Sequence, residues 1–112
     1  MGLSTKNQVA YVEPVNSYVD LIPAPGAGQR IRLKKFHATG SPRTASNQNV
    51  SLRWEDGSKF AGGAISGVGG WDNCDIDFGE DGIEGPVNKA LQVISTSSVA
   101  GVTQATAVYD IL

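Results

Sequence analysis

Cysteine and histidine each occur once in this sequence, as Cys74 and His37. A single thiol excludes an internal disulfide framework, and one imidazole without further ligand spacing excludes a zinc site of the four-ligand kind. A Ser or Cys nucleophile would have to rely on His37 as its base, and carboxylates such as Glu55 and Asp56 are sequence neighbours, which a strand points apart. The residues therefore predict a non-enzymatic chain, with no catalytic residue, no metal and no cofactor. Aromatic residues make up only 7% of the chain, and no window repeats its apolar positions at a spacing of 3.6, so helices are not expected. No apolar run approaches the roughly 18 residues of a membrane span. The start, MGLSTKNQ, lacks a charged segment followed by an apolar one, so the chain reads as unprocessed, with no membrane partner.

What the chain has in quantity is turn chemistry: 14 glycines and five prolines in 112 residues. That length builds one domain with a modest core, which assembly with further copies would supplement. The organising stretch is residues 21–36, LIPAPGAGQRIRLKKF. Pro23 and Pro25 cannot donate to a ladder, and Gly26 and Gly28 permit positive φ, so the chain must reverse or change sheets there. Beyond that corner Ile31 and Leu33 share one parity of an extended strand, while Arg30, Arg32 and Lys34 share the other. Phe36 lies three positions after Leu33, so the parity flips, and one extra residue at a β-bulge near Lys34 and Lys35 is the simplest repair.

The net charge of −2 conceals an asymmetry. Through Arg53 there are seven cations and two acids; from Trp54 onward there are two cations and nine acids. Opposite halves of this kind pair within an interleaved sheet, or they meet between subunits or against a partner. The basic strand carries no interleaved aromatics and the whole chain is acidic, which speaks against a nucleic-acid partner.

In chain order, residues 8–13 and 17–22 read as short strands, and residues 1–8 as a flexible arm ahead of a single domain spanning 9–112. Residues 40–49 form a polar loop. Val50, Leu52 and Trp54 alternate with Ser51 and Arg53 in a half-buried strand, and EDGS turns it into Lys59 and Phe60. The glycine-rich run 62–70 reads as a sheet crossing or bulge. Its GVGG has no following Lys-Ser or Lys-Thr and opens no helix, unlike a nucleotide loop. Cys74, Ile76 and Phe78 alternate with Asp75 and Asp77 as an edge strand with its acids outward. The spacing after Asp77 fails the EF-hand pattern, leaving a solvated acidic loop or a looser calcium site among Asp75, Asp77, Asp81 and Glu84. Residues 89–96 and 102–110 supply two last strands. Eight or so short strands with regular turn signals predict an all-β fold, a small antiparallel β-sandwich of jelly-roll type.

The runs VDLIPAPGAGQRIRL, NVSLRWEDGS and LQVISTSSVAGVTQATAVYDIL, with the glycine patch before Trp71, resemble tailed-bacteriophage capsid decoration proteins, also called cement or head-stabilisation proteins. The resemblance spans residues 19–112. It implies a β-sandwich that assembles as a homotrimer, is made in the bacterial host cytoplasm and sits on the exterior of the virion, where major capsid protein subunits meet. On that footing the contact residues are Arg30, Arg32 and Lys34 for an acidic capsid patch, Lys6, Asn7 and Gln8 in the arm, and Trp71 for subunit packing. A competing expectation is a glycan-binding module of a head fibre or tail, which would present Tyr11, Tyr18, Trp71 or Tyr109 to host glycans.

Overall fold

Short runs of alternating polar and apolar residues, broken by Pro and Gly, leave each strand with one face to bury, and two such sheets stacked together bury both. The computed structural model describes residues 5–12, 17–40, 48–55, 57, 59–65, 72–96 and 103–112. Among these residues the chain is all-β, with strands β1 (Thr5–Val12), β2 (Val19–Ile22), β3 (Ile31–Gly40), β4 (Gln48–Trp54), β5 (Lys59–Ile65), β6 (Asp72–Asp77), β7 (Ile83–Glu84), β8 (Leu91–Thr96) and β9 (Thr103–Ile111). One sheet runs β1-β9-β3-β6, with β7 also on β3; the other runs β2-β8-β4-β5. All pairings are antiparallel. The pairs β1–β9, β2–β8, β3–β6 and β4–β5 are nested in sequence, as in one long hairpin folded over on itself. That connectivity is the jelly roll expected from the strand count.

The core lies between the sheets. Ile31, Leu33, Phe36 and Ala38 of β3, with Ala105 and Ala107 of β9, face Leu21, Ile22, Val50, Leu52, Leu91 and Val93 of the second sheet. The parity flip in β3 is repaired as the spacing requires. Leu33 pairs with Tyr109 and Lys35 with its neighbour Val108, so Lys34 is the extra residue of a bulge. On the other side of β3, β6 pairs with residues 35–40 and β7 with residues 32–33. The excursion at 78–82 therefore falls opposite the bulge, tied back by Phe78 N–H donating to the Lys34 carbonyl at 2.9 Å.

The corner also forms, and the chain changes sheets across it. Gly26 has φ +120° and Gly28 φ +76°. Asn88, with φ +54°, staples the loop. Its Oδ1 accepts from Gly26 N–H at 2.9 Å, and its own N–H donates to the Gln29 carbonyl at 2.8 Å. The β4–β5 hairpin is where the EDGS signal puts it, closed by Gly57 N–H on the Trp54 carbonyl at 2.8 Å.

One boundary differs. Residues 5–8 belong to β1 and pair with β9 from Thr5 opposite Ile111 onward, rather than forming part of a free arm; residues 1–4 lie outside the described residues. The physical reason is that β1 is held by backbone bonds to a strand nearly a hundred positions away, which side-chain patterning does not report. The GVGG run and Trp71 also lie outside the described residues.

Candidate contact surface

The outer face of the first sheet is ordered in rows. Val9, Val108, Lys35 and Asp77 are in register across β1, β9, β3 and β6, and so are Tyr11, Thr106, His37 and Asp75. Because side chains directly opposite one another share a face, each row grades from an apolar residue at the β1 edge, through a cation or imidazole on β3, to a carboxylate at the β6 edge. A shallow depression of about 320 Å³ lies over β3, lined by Lys35, His37, Asp75, Asp77, Thr106 and Val108.

His37 is fixed at both ring nitrogens. Nδ1 contacts Asp75 Oδ1, and Nε2 lies 2.8 Å from Thr39 Oγ1. A carboxylate only accepts, so Nδ1 carries a proton, and Thr39 can donate to Nε2 when the ring is neutral. The order carboxylate, imidazole, hydroxyl matches that of a nucleophilic relay. Here it stands on an open sheet face, where water weakens the electrostatic stabilisation that such chemistry depends on.

The second sheet carries its own polar ladder. Arg53 Nε donates to Gln92 Oε1 at 2.7 Å, Gln92 Nε2 donates to Asp20 Oδ1 at 3.0 Å, and the Arg53 guanidinium lies 3.8 Å above the Tyr18 ring centre. Tyr18 is thereby capped by a cation, and Tyr109 packs against the core. Of the described tyrosines named for glycan stacking, Tyr11 is the openly exposed one. Trp54, which shares its parity with Val50 and Leu52, packs against the core as its alternation implied. It stacks on Phe60 at 5.1 Å between ring centres, and Phe60 meets Phe78 at 6.4 Å.

The basic row is not a uniform surface patch. Arg30 pairs its backbone with Leu112 in both directions, and its half-exposed side chain lies 4.0 Å from Glu84. Arg32 is committed to Asp110 at 2.8 Å. Lys34 is the partly exposed bulge residue. Gln8 is exposed on β1, in register with Tyr109 and Leu33, and Lys6 and Asn7 lie in the irregular part of β1 between Thr5 and Gln8. The arm residues and the basic row thus share one sheet, separated by β9. The opposite charges of the two chain halves meet within that sheet in the pairs Arg32–Asp110 and Arg30–Glu84.

Three residues of the acidic segment have local partners. Asp75 contacts His37, Asp77 Oδ1 accepts from Gly79 N–H at 2.8 Å, and Glu84 faces Arg30. No group of three or more His, Cys, Asp or Glu placed to hold a metal occurs among the described residues. Cys74 is half-buried; burial first, and the Asp75 carboxylate second, push its thiol above the ordinary value of 9.0.

Sequence reasoning missed Val9 and named Tyr11 only as a residue for glycan stacking. Both parities of β1 carry apolar residues, with Val9 and Tyr11 on one and Ala10 and Val12 on the other, so alternation alone does not say which pair faces out.

No family model matches this chain, and no curated protein matches it. Among solved structures it is similar to a chain in "Structure of infectious bursal disease virus Gt strain", with 6% sequence identity and a TM-score of 0.39 over 97% of this chain and 32% of that one. The present chain thus spans less than half the length of that neighbour, and a likeness of this size carries neither family nor function to it.

Proposed function

We propose that the chain is a structural virion protein, a decoration protein that binds the exterior of a tailed-phage capsid as a homotrimer and staples adjacent major capsid subunits. The observation that carries this reading is the outer face of the first sheet. It is a broad strand-built surface graded from apolar to charged side chains, suited to contact with another protein surface. The jelly roll is a framework used by capsid and lectin domains alike, and it needs no active site to do this work. Three copies in one trimer engage three capsid subunits at once, so effective concentration turns weak single contacts into slow release. A protein that binds only the closed shell shifts the shell away from opened states by mass action. Arg30 and Lys34 are the cations offered to an acidic capsid patch, whereas Arg32 serves the fold.

The experiment is co-sedimentation with heads that lack the protein. Saturable binding and a higher temperature for DNA release are expected, and the variant combining Arg30→Glu with Lys34→Glu should lower occupancy at least about tenfold. Heads that neither bind the chain nor gain heat resistance would overturn the proposal. Light scattering of the free protein should return three times the chain mass of 11.7 kDa, and the mass of one chain would remove the trimer.

A further inference from the structure

Among the described residues the two sheets end on four edges: β1, β6 with β7, β2, and β5. An open edge is a template for another strand, and natural sheets guard against it with charge, irregularity or brevity. Three of these edges are guarded. β6 carries Asp75 and Asp77 outward and is interrupted at 78–82 before β7. β2 has four residues, a register shift between Asp20 and Ile22, and Pro23 directly after it. β5 contains Gly62 and Gly63, and its pairing with β4 shifts between Leu52 and Arg53.

β1 is different. From Gln8 to Val12 its register is regular, and its outward side chains Val9 and Tyr11 are 69% and 54% exposed, with Val108 beside Val9. We infer that this edge is an interaction surface for a second copy of the same chain, the two β1 strands pairing antiparallel about a two-fold axis at Ala10. A two-fold perpendicular to the sheet keeps the outer face outer, so only positions of equal parity stand opposite one another.

Centring the axis on Ala10 sets Val9 against the other copy's Tyr11 twice over, making two aromatic with β-branched pairs. Moving the centre to Val9 would oppose Tyr11 to Asn7, in the irregular part of β1, and moving it to Tyr11 would leave Val9 without an opposite position inside β1, which ends at Val12. Ala10 is also the midpoint of the regular segment, so side-chain complementarity and backbone regularity select the same register. The pairing adds strand-to-strand hydrogen bonds along this edge and joins two first sheets into one. A five-residue strand pair is small beside a standard protein interface, so the contact is weak between free molecules and accumulates where copies are arrayed. It requires neither a capsid nor a trimer, and so stands or falls apart from the function proposed above.

The test is disulfide trapping in a Cys74→Ala background, mixing a Val9→Cys chain with a Tyr11→Cys chain under mild oxidation. Directly opposite Cβ atoms lie about 4.5–5.5 Å apart and diagonal ones about 7–8 Å, and a disulfide needs about 3.5–4.5 Å. The mixed disulfide should therefore exceed either symmetrical one by at least about fivefold. A statistical mixture, a preference for a symmetrical product, or no cross-link would overturn the inference. The unaltered protein provides a second reading that no folding defect can blur. Amide exchange at residues 8–12 should slow as concentration rises from micromolar to millimolar, and exchange independent of concentration would equally overturn it.

Discussion

Arg32 on β3 grips Asp110 on β9 through a single carboxylate oxygen, with Nη2 donating to Oδ2 at 2.8 Å and Nε at 3.1 Å. The two partners are unequally buried: the Arg32 side chain is 24% exposed and that of Asp110 is 1% exposed. Arg32 can turn its guanidinium toward water if the pair is lost, whereas Asp110 has no such route.

The costs of breaking the pair should follow that inequality. Arg32→Met leaves a buried carboxylate without its cation and should cost about 3–5 kcal/mol. Asp110→Asn keeps an acceptor for a partly hydrated guanidinium and should cost about 1–2 kcal/mol. Urea melts of both variants and of the double variant measure the coupling. Equal single costs would contradict this account, and the same burial makes Arg32→Glu unsuitable as a probe of surface binding.

Asn88 holds a left-handed backbone and the PAPGAG corner together. Asn88→Gly keeps the backbone and loses the side-chain bond, at about 0.5–1.5 kcal/mol. Asn88→Ala loses the bond and adds about 1 kcal/mol or more of left-handed strain. Stability should therefore fall in the order Asn, Gly, Ala, as read from thermal or urea midpoints.

Gly85 is a floor tile under Trp54. A Cβ added there would stand 2.7 Å from Cε3 and Cζ3 of the indole. Gly85→Ala should push Trp54 off its stack on Phe60 and cost about 1–3 kcal/mol through overpacking. A change in near-ultraviolet dichroism accompanying the lost stability would report the displaced ring, and an unchanged melt would refute the contact.

Cys74 links stability to alkaline pH. Its thiol is raised above 9.0 by burial and then by the Asp75 charge, so the folded chain keeps this proton after the unfolded chain releases it. The unfolded state then binds fewer protons, and stability falls as pH rises from about 9.0 through the folded value. Cys74→Ala should flatten that part of the stability profile relative to the unaltered chain. Alkylation of Cys74 at pH 8 should also run slower than that of an unhindered thiol.

Much of the fold is legible in the order of residues along the chain. The parity break between Leu33 and Phe36 requires a bulge, because a strand has a period of two and both residues belong inside. The PAPGAG corner requires a change of direction, because two of its residues cannot donate and two tolerate positive φ. Trp54 is placed inward by its alternation with Val50 and Leu52. The contact surface is much less legible. Arg32 and Lys34 look equivalent along the strand, yet one is held by a buried acid from β9 and the other is the bulge residue, and the acid lies 78 positions away.

An all-β jelly roll, its corner, its bulge and its acidic edge strand all follow from the residues alone, because period-two alternation and the φ limits of Pro and Gly act locally and need no knowledge of neighbours. Which charges cancel within the sheet, which parity of β1 faces outward and which described edge carries exposed apolar side chains in regular register are settled only by the packing of the folded chain. Those outcomes depend on which strands lie side by side, and in this fold the neighbours are brought together from opposite ends of the chain.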